Sequence, residues 1–408
     1  MTERRGEQTP KTLLITLTGK DRPGVTSLVF DTLAQFGVEV LDIEQIVLRG
    51  RLVLGLLVSS PRDWRALHTR LADVAAGLSM TLEVEQGSGD NRHRPQGRSH
   101  VTVLGTPLRS AAMAAIAGRI ADTGANIDRI ERMARYPITA IDLHVSGYDP
   151  DKLRDILARE AAAQGVDIAV QPANLLRRSM RLIVMDVDST LIQGEVIEML
   201  ARHAGVEDQV AAVTDQAMRG ELDFAQSLRD RVALLAGLDV GAIDQVYDEL
   251  QLAPGARTTV RVLKRLGYRF AIVSGGFSQL TERLAADLDL DFHRANELEV
   301  VDGRLTGRVV GDVVDRSGKA AALRDFATAC GLPLSATIAI GDGANDLDML
   351  SAAGLGIAFN AKAVVKEAVP TAVNVPYMDA VLYLLGISRE EVVAADAEEG
   401  ITTPAPPV

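Results

Sequence analysis

Arg181-Leu182-Ile183-Val184-Met185-Asp186-Val187-Asp188-Ser189-Thr190 decides the architecture of the C-terminal half. A short, fully apolar run that ends abruptly in acids and hydroxyls reads as a strand buried on both faces, with its chemistry at the carboxyl end. Two other runs share this texture. Phe270-Ala271-Ile272-Val273 ends in Ser274-Gly275-Gly276-Phe277, and Thr337-Ile338-Ala339-Ile340 ends in Gly341-Asp342-Gly343-Ala344-Asn345-Asp346. Helical periodicity fills the stretches between and around them, at 258–266, 278–288 and 319–329. Buried strands alternating with helices make a parallel sheet, so residues 181–395 are expected to form an α/β, Rossmann-like doubly wound domain. Residues 193–251 interrupt it with helical segments and no strong strand, and read as an inserted helical cap. The acidic, Pro-rich end, residues 396–408, is expected to be a disordered tail.

The N-terminal half is a repeat. Leu13-Leu14-Ile15-Thr16-Leu17-Thr18-Gly19 is echoed by Val101-Thr102-Val103-Leu104-Gly105, and Gly37-Val38-Glu39-Val40-Leu41-Asp42-Ile43 by Gly124-Ala125-Asn126-Ile127-Asp128-Arg129-Ile130, at an offset near 86 or 87 residues. Each copy reads strand, helix, strand, strand, helix, strand. This is the ferredoxin-like βαββαβ plan, with two helices on one face of an antiparallel sheet. The copies are placed at 12–86 and 99–172, joined by a polar, Gly-rich linker at 87–98.

Composition narrows the function classes. With 43 Lys and Arg against 55 Asp and Glu, the net charge of −12 argues against nucleic acid as the main partner. No apolar stretch approaches the roughly 20 residues needed to span a bilayer, so no membrane association is expected. The single cysteine, Cys330, has no intrachain partner, which suggests a reducing, cytoplasmic setting. The six histidines show no metal-ligand spacing along the chain.

The strand ends gather the chemistry. Asp186 and Asp188, facing Asp342 from a neighbouring strand, would repel one another unless a cation sat among them, and carboxylate oxygens favour a hard ion such as Mg²⁺. Ser274-Gly275-Gly276 offers a hydroxyl and unencumbered N–H groups at a helix start, an anion site by geometry. Lys319 adds a positive point charge. A metal, an N–H nest and a lysine together suit a phosphoryl group. A carboxylate is ionised at neutral pH and can attack phosphorus itself, while a second can protonate the leaving alkoxide and later deprotonate water.

Asp-x-Asp-x-Thr at 186–190, Ser-Gly-Gly at 274–276, Lys319 and Gly-Asp-Gly-x-Asn-Asp at 341–346 resemble, in order, the four motifs of the haloacid-dehalogenase (HAD) phosphatase superfamily. The resemblance implies Asp186 as nucleophile and Asp188 as general acid/base. It implies Mg²⁺ on the Asp186 carboxylate, the Asp188 carbonyl and Asp342, with Asp346 behind them supporting a metal-bound water. Ser274, Gly275 and Lys319 would hold the phosphate.

The cap should select the substrate. Asp-Val-Asp-Ser-Thr-Leu-Ile-Gln-Gly-Glu-Val-Ile-Glu-Met-Leu-Ala at 186–201, followed by Phe224 and Arg231, resembles the phosphoserine phosphatases. Glu195 would then pair with an ammonium and Arg231 with a carboxylate. Met218 and Phe224 would exclude water, and Asn345 would join Lys319 at the phosphate. The activity implied is release of L-serine and phosphate from O-phospho-L-serine, the last step of serine biosynthesis. The alternatives are a HAD phosphatase or phosphotransferase for another small phosphoester, or an amino-acid sensor with a vestigial phosphatase domain. Gly19-Lys20-Asp21-Arg22-Pro23-Gly24 resembles the loop of ACT domains, which bind small amino acids. This makes Gly19, Asp21 and Gly24 a candidate regulatory site for serine, and a homodimer is expected. The second copy departs from that loop with Gly105-Thr106-Pro107-Leu108-Arg109-Ser110.

Overall fold

The computed structural model describes residues 11–89, 97–174, 179–218, 223–369 and 371–404. The chain divides into two compact units, Met1–Pro95 and Gln96–Val408. In the first, β1 (Lys11–Lys20), β2 (Val40–Leu48), β3 (Arg51–Ser59) and β4 (Thr81–Ser88) form an antiparallel sheet in the order β2-β3-β1-β4. Residues two apart share a face of a strand. Leu13, Ile15 and Leu17 of β1 and Leu52, Leu54, Leu56 and Val58 of β3 are therefore buried together with Val25, Val29 and Leu33 of helix Val25–Ala34 and Leu67, Leu71 and Ala75 of helix Trp64–Leu78.

The second copy, β5 (Ser99–Gly105), β6 (Asn126–Ala134), β7 (Thr139–Ser146) and β8 (Asp167–Pro172), repeats the plan in the order β6-β7-β5-β8. Its helices are Ser110–Asp122 and Pro150–Gln164. Of the expected linker at 87–98, β4 takes the first two residues, and 90–96 lie outside the described residues.

The remainder is built on a seven-stranded sheet: β9 (Leu182–Met185), β10 (Arg269–Phe277), β11 (Phe292–Val301), β12 (Arg304–Val310), β13 (Thr337–Gly341), β14 (Leu355–Phe359) and β15 (Ala372–Val373). Its order is β12-β11-β10-β9-β13-β14-β15, parallel throughout except for β12 at the edge. The strand order reverses between β9 and β13, which opens the crevice at which doubly wound folds bind ligands. The unbroken apolar run of β9 follows from burial on both sides. Leu182 and Val184 pack with Leu323 and Phe326 of helix Arg316–Ala329, whereas Ile183 and Met185 face Val260 and Leu263 of helix Ala256–Arg265.

Between β9 and β10 come the helices Val196–Ala204, Glu207–Met218, Phe224–Ala233 and Gly241–Glu249. The segment leaves and rejoins the core at one point. The Gln193 N–H donates to Gln251 O at 2.8 Å, and Ile192 bridges Leu252.

The second small sheet is continuous with this core. Leu104, Ala134, Ile138 and Ala140 share one buried cluster with Met180, Tyr383 and Leu384. Asp167 on β8 accepts from the backbone and side-chain N–H groups of Asn374, both at 2.5 Å, and Gln171 donates to Leu384 O at 2.8 Å.

The C-terminus corrects the expectation of a disordered tail at 396–408. Helix Arg389–Glu398, opened by a capping box of Ser388 and Glu391, carries Asp396 into a fully buried position. There it accepts from Arg261 at 2.6 and 3.1 Å and from the Thr403 hydroxyl at 2.7 Å, with Arg265 at 3.4 Å. An acidic composition signals disorder only when no cation waits for it, and helix Ala256–Arg265 supplies two arginines. Residues 405–408 lie outside the described residues. Asp396→Ala strands the Arg261 guanidinium and leaves Arg265 with Glu399 alone, at 2.6 Å, and the C-terminal unit is expected to lose about 3 kcal/mol, read as a lower urea midpoint. An unchanged midpoint would show that this helix is not docked in solution.

Candidate active site

The backbone after β9 turns sharply. Val187–Leu191 forms a single wide helical turn in which Ser189 is left-handed, φ 57° and ψ 4°. A non-glycine residue held this way marks a constrained site. The turn leaves Asp186 buried at the strand's tip, its carboxylate accepting from the Val187 N–H at 2.8 Å, while Asp188 is only partly covered.

Lys319 comes up from the first turn of helix Arg316–Ala329, which Asp315 caps through the Gly318 N–H at 2.8 Å. Its ammonium is fully buried and sits 2.7 Å from Asp186 Oδ1 and 2.7 Å from Asp346 Oδ1. Burial opposes its charge, but the two carboxylates outweigh this and hold its pKa above the ordinary value for lysine. Asp346 commits its other oxygen, Oδ2, to the Gly343 N–H at 2.9 Å. This close tuck depends on Gly341, where an added Cβ would meet the Asp346 carboxyl carbon at 2.5 Å.

Asp188 is held from two sides: Oδ1 accepts from the Val196 N–H at 2.8 Å, and Oδ2 from the Ser274 hydroxyl at 2.9 Å. Ser274 Oγ in turn accepts from the Gly276 N–H at 2.7 Å. Ser274-Gly275-Gly276 is the bulged end of β10 and leads directly into helix Ser278–Asp287, whose N-cap is Phe277; the strand runs to Phe277 and its pairing shifts register after Val273. Phe224 lies against this segment, its Cζ 2.8 Å from where a Gly275 Cβ would be.

These groups surround a cavity of about 90 Å³ lined by Asp186, Asp188, Glu195, Phe224, Arg231, Gly275, Lys319, Asp342 and Asn345. The structure thus brings together all the core positions singled out in the sequence, with Ser274 directly behind Asp188, and it brings Glu195, Phe224 and Arg231 from the inserted helices to the same space. The Met218 side chain lies outside the described residues. Gly19, Asp21 and Gly24 belong to the N-terminal unit: Gly19 lies near the end of β1, paired with Leu52, and Asp21 and Gly24 lie in the loop that leads to helix Val25–Ala34, where left-handed Gly24 (φ 92°) precedes the helix and the Asp21 N–H donates to Gly50 O.

Several lining or bracing residues carried no sequence signal. Ile197, Leu228 and Lys362 line the cavity, and the Thr190 hydroxyl donates to Asp342 at 3.1 Å. Asn296, buried on β11, braces the bulge by donating to Gly275 O at 2.7 Å and accepting from the Val314 N–H at 2.7 Å. Thr190 lay inside the Asp-x-Asp-x-Thr motif and Ile197 inside the stretch 186–201, yet neither was singled out for a role.

Electrostatics make this cavity hungry for positive charge. Asp186, Asp342 and Asp346 place carboxylate oxygens within 4.8 Å of one another, beside Asp188 and Glu195 and against the ammonium groups of Lys319 and Lys362. Burial first, and Asp346 second, push Asp342 up to about 6 and Asp186 well above the usual carboxylate range. Burial and the nearby Asp188 and Asp342 raise Glu195 to about 7. Burial lowers Arg231 from its ordinary value, against the pull of Glu195. An all-oxygen donor set with surplus negative charge fits a hard divalent cation.

Residues 183–351 match the haloacid dehalogenase-like hydrolase family, and residues 11–85 and 98–171 each match an ACT domain family. A phosphoserine phosphatase of Streptomyces coelicolor is 62% identical over 387 residues, spanning 94% of each chain. The chain belongs to the phosphoserine phosphatases. A second phosphoserine phosphatase, from Mycobacterium tuberculosis, is 53% identical over 391 residues, 94% of this chain and 95% of the relative. The crystal structure of a probable phosphoserine phosphatase from Vibrio cholerae superposes with a TM-score of 0.57 at 34% identity, over 73% of this chain and 88% of that one. The fold is that of a HAD phosphatase with two N-terminal ACT domains, and no described helix is long and apolar enough to cross a membrane.

A divalent cation at the carboxylate cluster should reveal itself in stability. With no cation, a pKa for Asp342 raised from 3.8 to about 6 means the fold holds a proton that the unfolded chain has already lost. That group's contribution therefore falls by up to about 3 kcal/mol as pH rises from about 4 to about 6. A bound cation competes with that proton. The stabilisation on adding Mg²⁺, read as a rise in melting temperature, is expected to be small near pH 5 and to grow through pH 6, reaching about 2.7 kcal/mol at a hundredfold excess over Kd. It should vanish in Asp342→Asn. A pH-independent rise would place the cation elsewhere.

Proposed function

We propose that this phosphatase hydrolyses O-phospho-L-serine through an aspartyl-phosphate on Asp186, with Mg²⁺ as cofactor. The observation that carries the reading is the buried Lys319 ammonium, 2.7 Å from Asp186, in one cavity with Asp188 and with the oppositely charged pair Glu195 and Arg231. Lys319, Asn345 and the Gly275 N–H hold the phosphoryl oxygens, while the Ser274 hydroxyl, placed with them by the sequence, donates to Asp188 behind the cavity. Glu195 takes the substrate ammonium, and Arg231 takes its carboxylate in a bidentate fork. Phe224 covers the short carbon skeleton.

The Asp186 carboxylate attacks phosphorus while the bond to the serine oxygen breaks. Asp188, oriented by Ser274 and by the Val196 N–H, delivers a proton to that oxygen. In the second half Asp188 takes a proton from water, whose oxygen attacks the same phosphorus, freeing Asp186 and inorganic phosphate. Asp186, the Asp188 carbonyl and Asp342 would hold Mg²⁺, with Asp346 supporting them, and the ion supplies neutralisation of charge on the phosphoryl group. Glu195 and Arg231 lie on an insertion whose two ends meet at Gln193 and Gln251 and whose later part also bonds the edge of the sheet, the Gly237 N–H donating to Leu305 O and the Val240 N–H to Gly303 O; opening and closing of its first helices would admit substrate and exclude water.

The ACT domains support a feedback role in which L-serine binds near Gly19, Asp21 and Gly24, in a homodimer. Serine formation as the closing step of its biosynthesis, in the cytoplasm, follows from the same reading.

A phosphate-release assay with phosphoserine and p-nitrophenyl phosphate in parallel, with and without L-serine, tests the set. Asp186→Asn and chelation should abolish turnover of both substrates. Glu195→Ala and Arg231→Ala should raise KM for phosphoserine by about 10- to 100-fold and leave the nitrophenyl ester nearly unaffected. With Glu195 at about 7, KM for phosphoserine should climb as pH falls below 7 in the parent enzyme and not in Glu195→Gln. Activity surviving Asp186→Asn refutes the covalent route; equal losses on both substrates refute the amino-acid clamp; indifference to L-serine removes the feedback role.

A further inference from the structure

We propose that His100, Asp142 and His144, on the second ACT sheet, form a binding site for a divalent transition metal of the zinc type, distinct from the carboxylate cluster at Asp186. The three are distant or merely alternate in sequence, and strand register brings them together. His100 of β5 lies directly opposite His144 of β7, and Thr102 lies opposite Asp142. Their strand neighbours Val101, Val103, Leu143 and Val145 point the other way, into the core with Ile116 and Leu153 of the covering helices. Period-two alternation therefore puts both imidazoles and the carboxylate on the face away from the helices.

The donor geometry is close to what zinc requires. His100 Nδ1 is 2.8 Å and His144 Nε2 3.5 Å from the same oxygen, Asp142 Oδ2. The rings meet edge to face, with centroids 4.5 Å apart. All three residues offer a donor atom within 4.8 Å of the others. Ligands at tetrahedral zinc, each roughly 2.0–2.1 Å from the ion, stand about 3.3 Å apart, so the two distances to Asp142 Oδ2 each have to change by only a fraction of an ångström, and the two imidazole donors already lie within 4.8 Å of each other. Asp142 is 3% exposed, and its Oδ1 receives the Thr102 hydroxyl at 3.1 Å. This fixes the carboxylate plane, as partners behind metal ligands do. Glu131 on β6 brings Oε2 to 3.7 Å from His144 Nε2, within reach of a fourth position, while Arg129 holds its Oε1 at 2.7 Å. The histidine side chains are 19% and 27% exposed, which leaves a way in. Two imidazoles and one carboxylate favour zinc-type ions, whereas magnesium prefers oxygen alone. The two sites should therefore sort these metals.

The full-length protein, stripped with a chelator and then dialysed against micromolar Zn²⁺ in the presence of saturating Mg²⁺, should retain one equivalent of zinc. Asp342→Asn should retain it too. His100→Gln/His144→Gln should lose it while keeping Mg²⁺-dependent phosphatase activity, which reports an intact fold. Independently of any variant, Co²⁺-loaded parent protein should show the visible absorption of a tetrahedral site with nitrogen ligands. Absence of retained zinc, absence of that absorption, or zinc kept by the double variant and lost from Asp342→Asn would each overturn the site and leave the cluster a hydrogen-bond network around Asp142.

Discussion

A lysine ammonium with no exposed surface is costly unless anions surround it closely, and breaking such a pair costs several kcal/mol. Lys319 meets that condition by standing between Asp186 and Asp346. The three charges tie the tips of β9 and β13 to the head of helix Arg316–Ala329. A lysine in the first helical turn opposes the helix dipole, so its place there is set by its partners rather than by the helix. The glycine at 341 and the backbone N–H of Gly343 belong to the same arrangement, because Asp346 reaches Lys319 only by folding beneath Gly341.

From that anchor the site divides its labour. Core strand ends furnish groups suited to phosphorus, and the inserted helices furnish Glu195, Phe224 and Arg231. The two sets meet across Asp188, which the core hydroxyl of Ser274 and the Val196 N–H hold together. In the proposed mechanism, recognition of the amino-acid end and orientation of the proton donor would share this one hydrogen-bonded junction. A poorly seated substrate would misplace both.

The sequence was most informative where the physics is local. Four apolar residues before Asp186 could only be a doubly buried strand, and the structure alternates them between two hydrophobic layers. Residue order also sufficed for the βαββαβ repeats and for the groups at the strand tips. What escaped depended on pairing between distant segments. Asn296 braces the Gly275 bulge from another strand, and nothing in its own neighbourhood announces it. His100 and His144 look incidental until register sets them face to face. Asp396 looked like part of an acidic tail because composition takes no account of Arg261 and Arg265, more than a hundred residues upstream. Ser274-Gly275-Gly276 was located by its chemistry at the head of helix Ser278–Asp287, but its bulged strand shape was not legible, because a bulge and a turn present similar residues.

The shared buried cluster between the second ACT sheet and the phosphatase core has a practical corollary for anyone trimming the gene. Excising the catalytic portion at residue 180 would strip Leu104, Ile138 and Ala140 from their companions and lay Tyr383 and Leu384 open to water. It would also orphan Asn374, whose amide and backbone N–H both rely on Asp167. A minimal soluble enzyme should therefore begin ahead of β5 and leave out only the first repeat, which forms a compact body of its own.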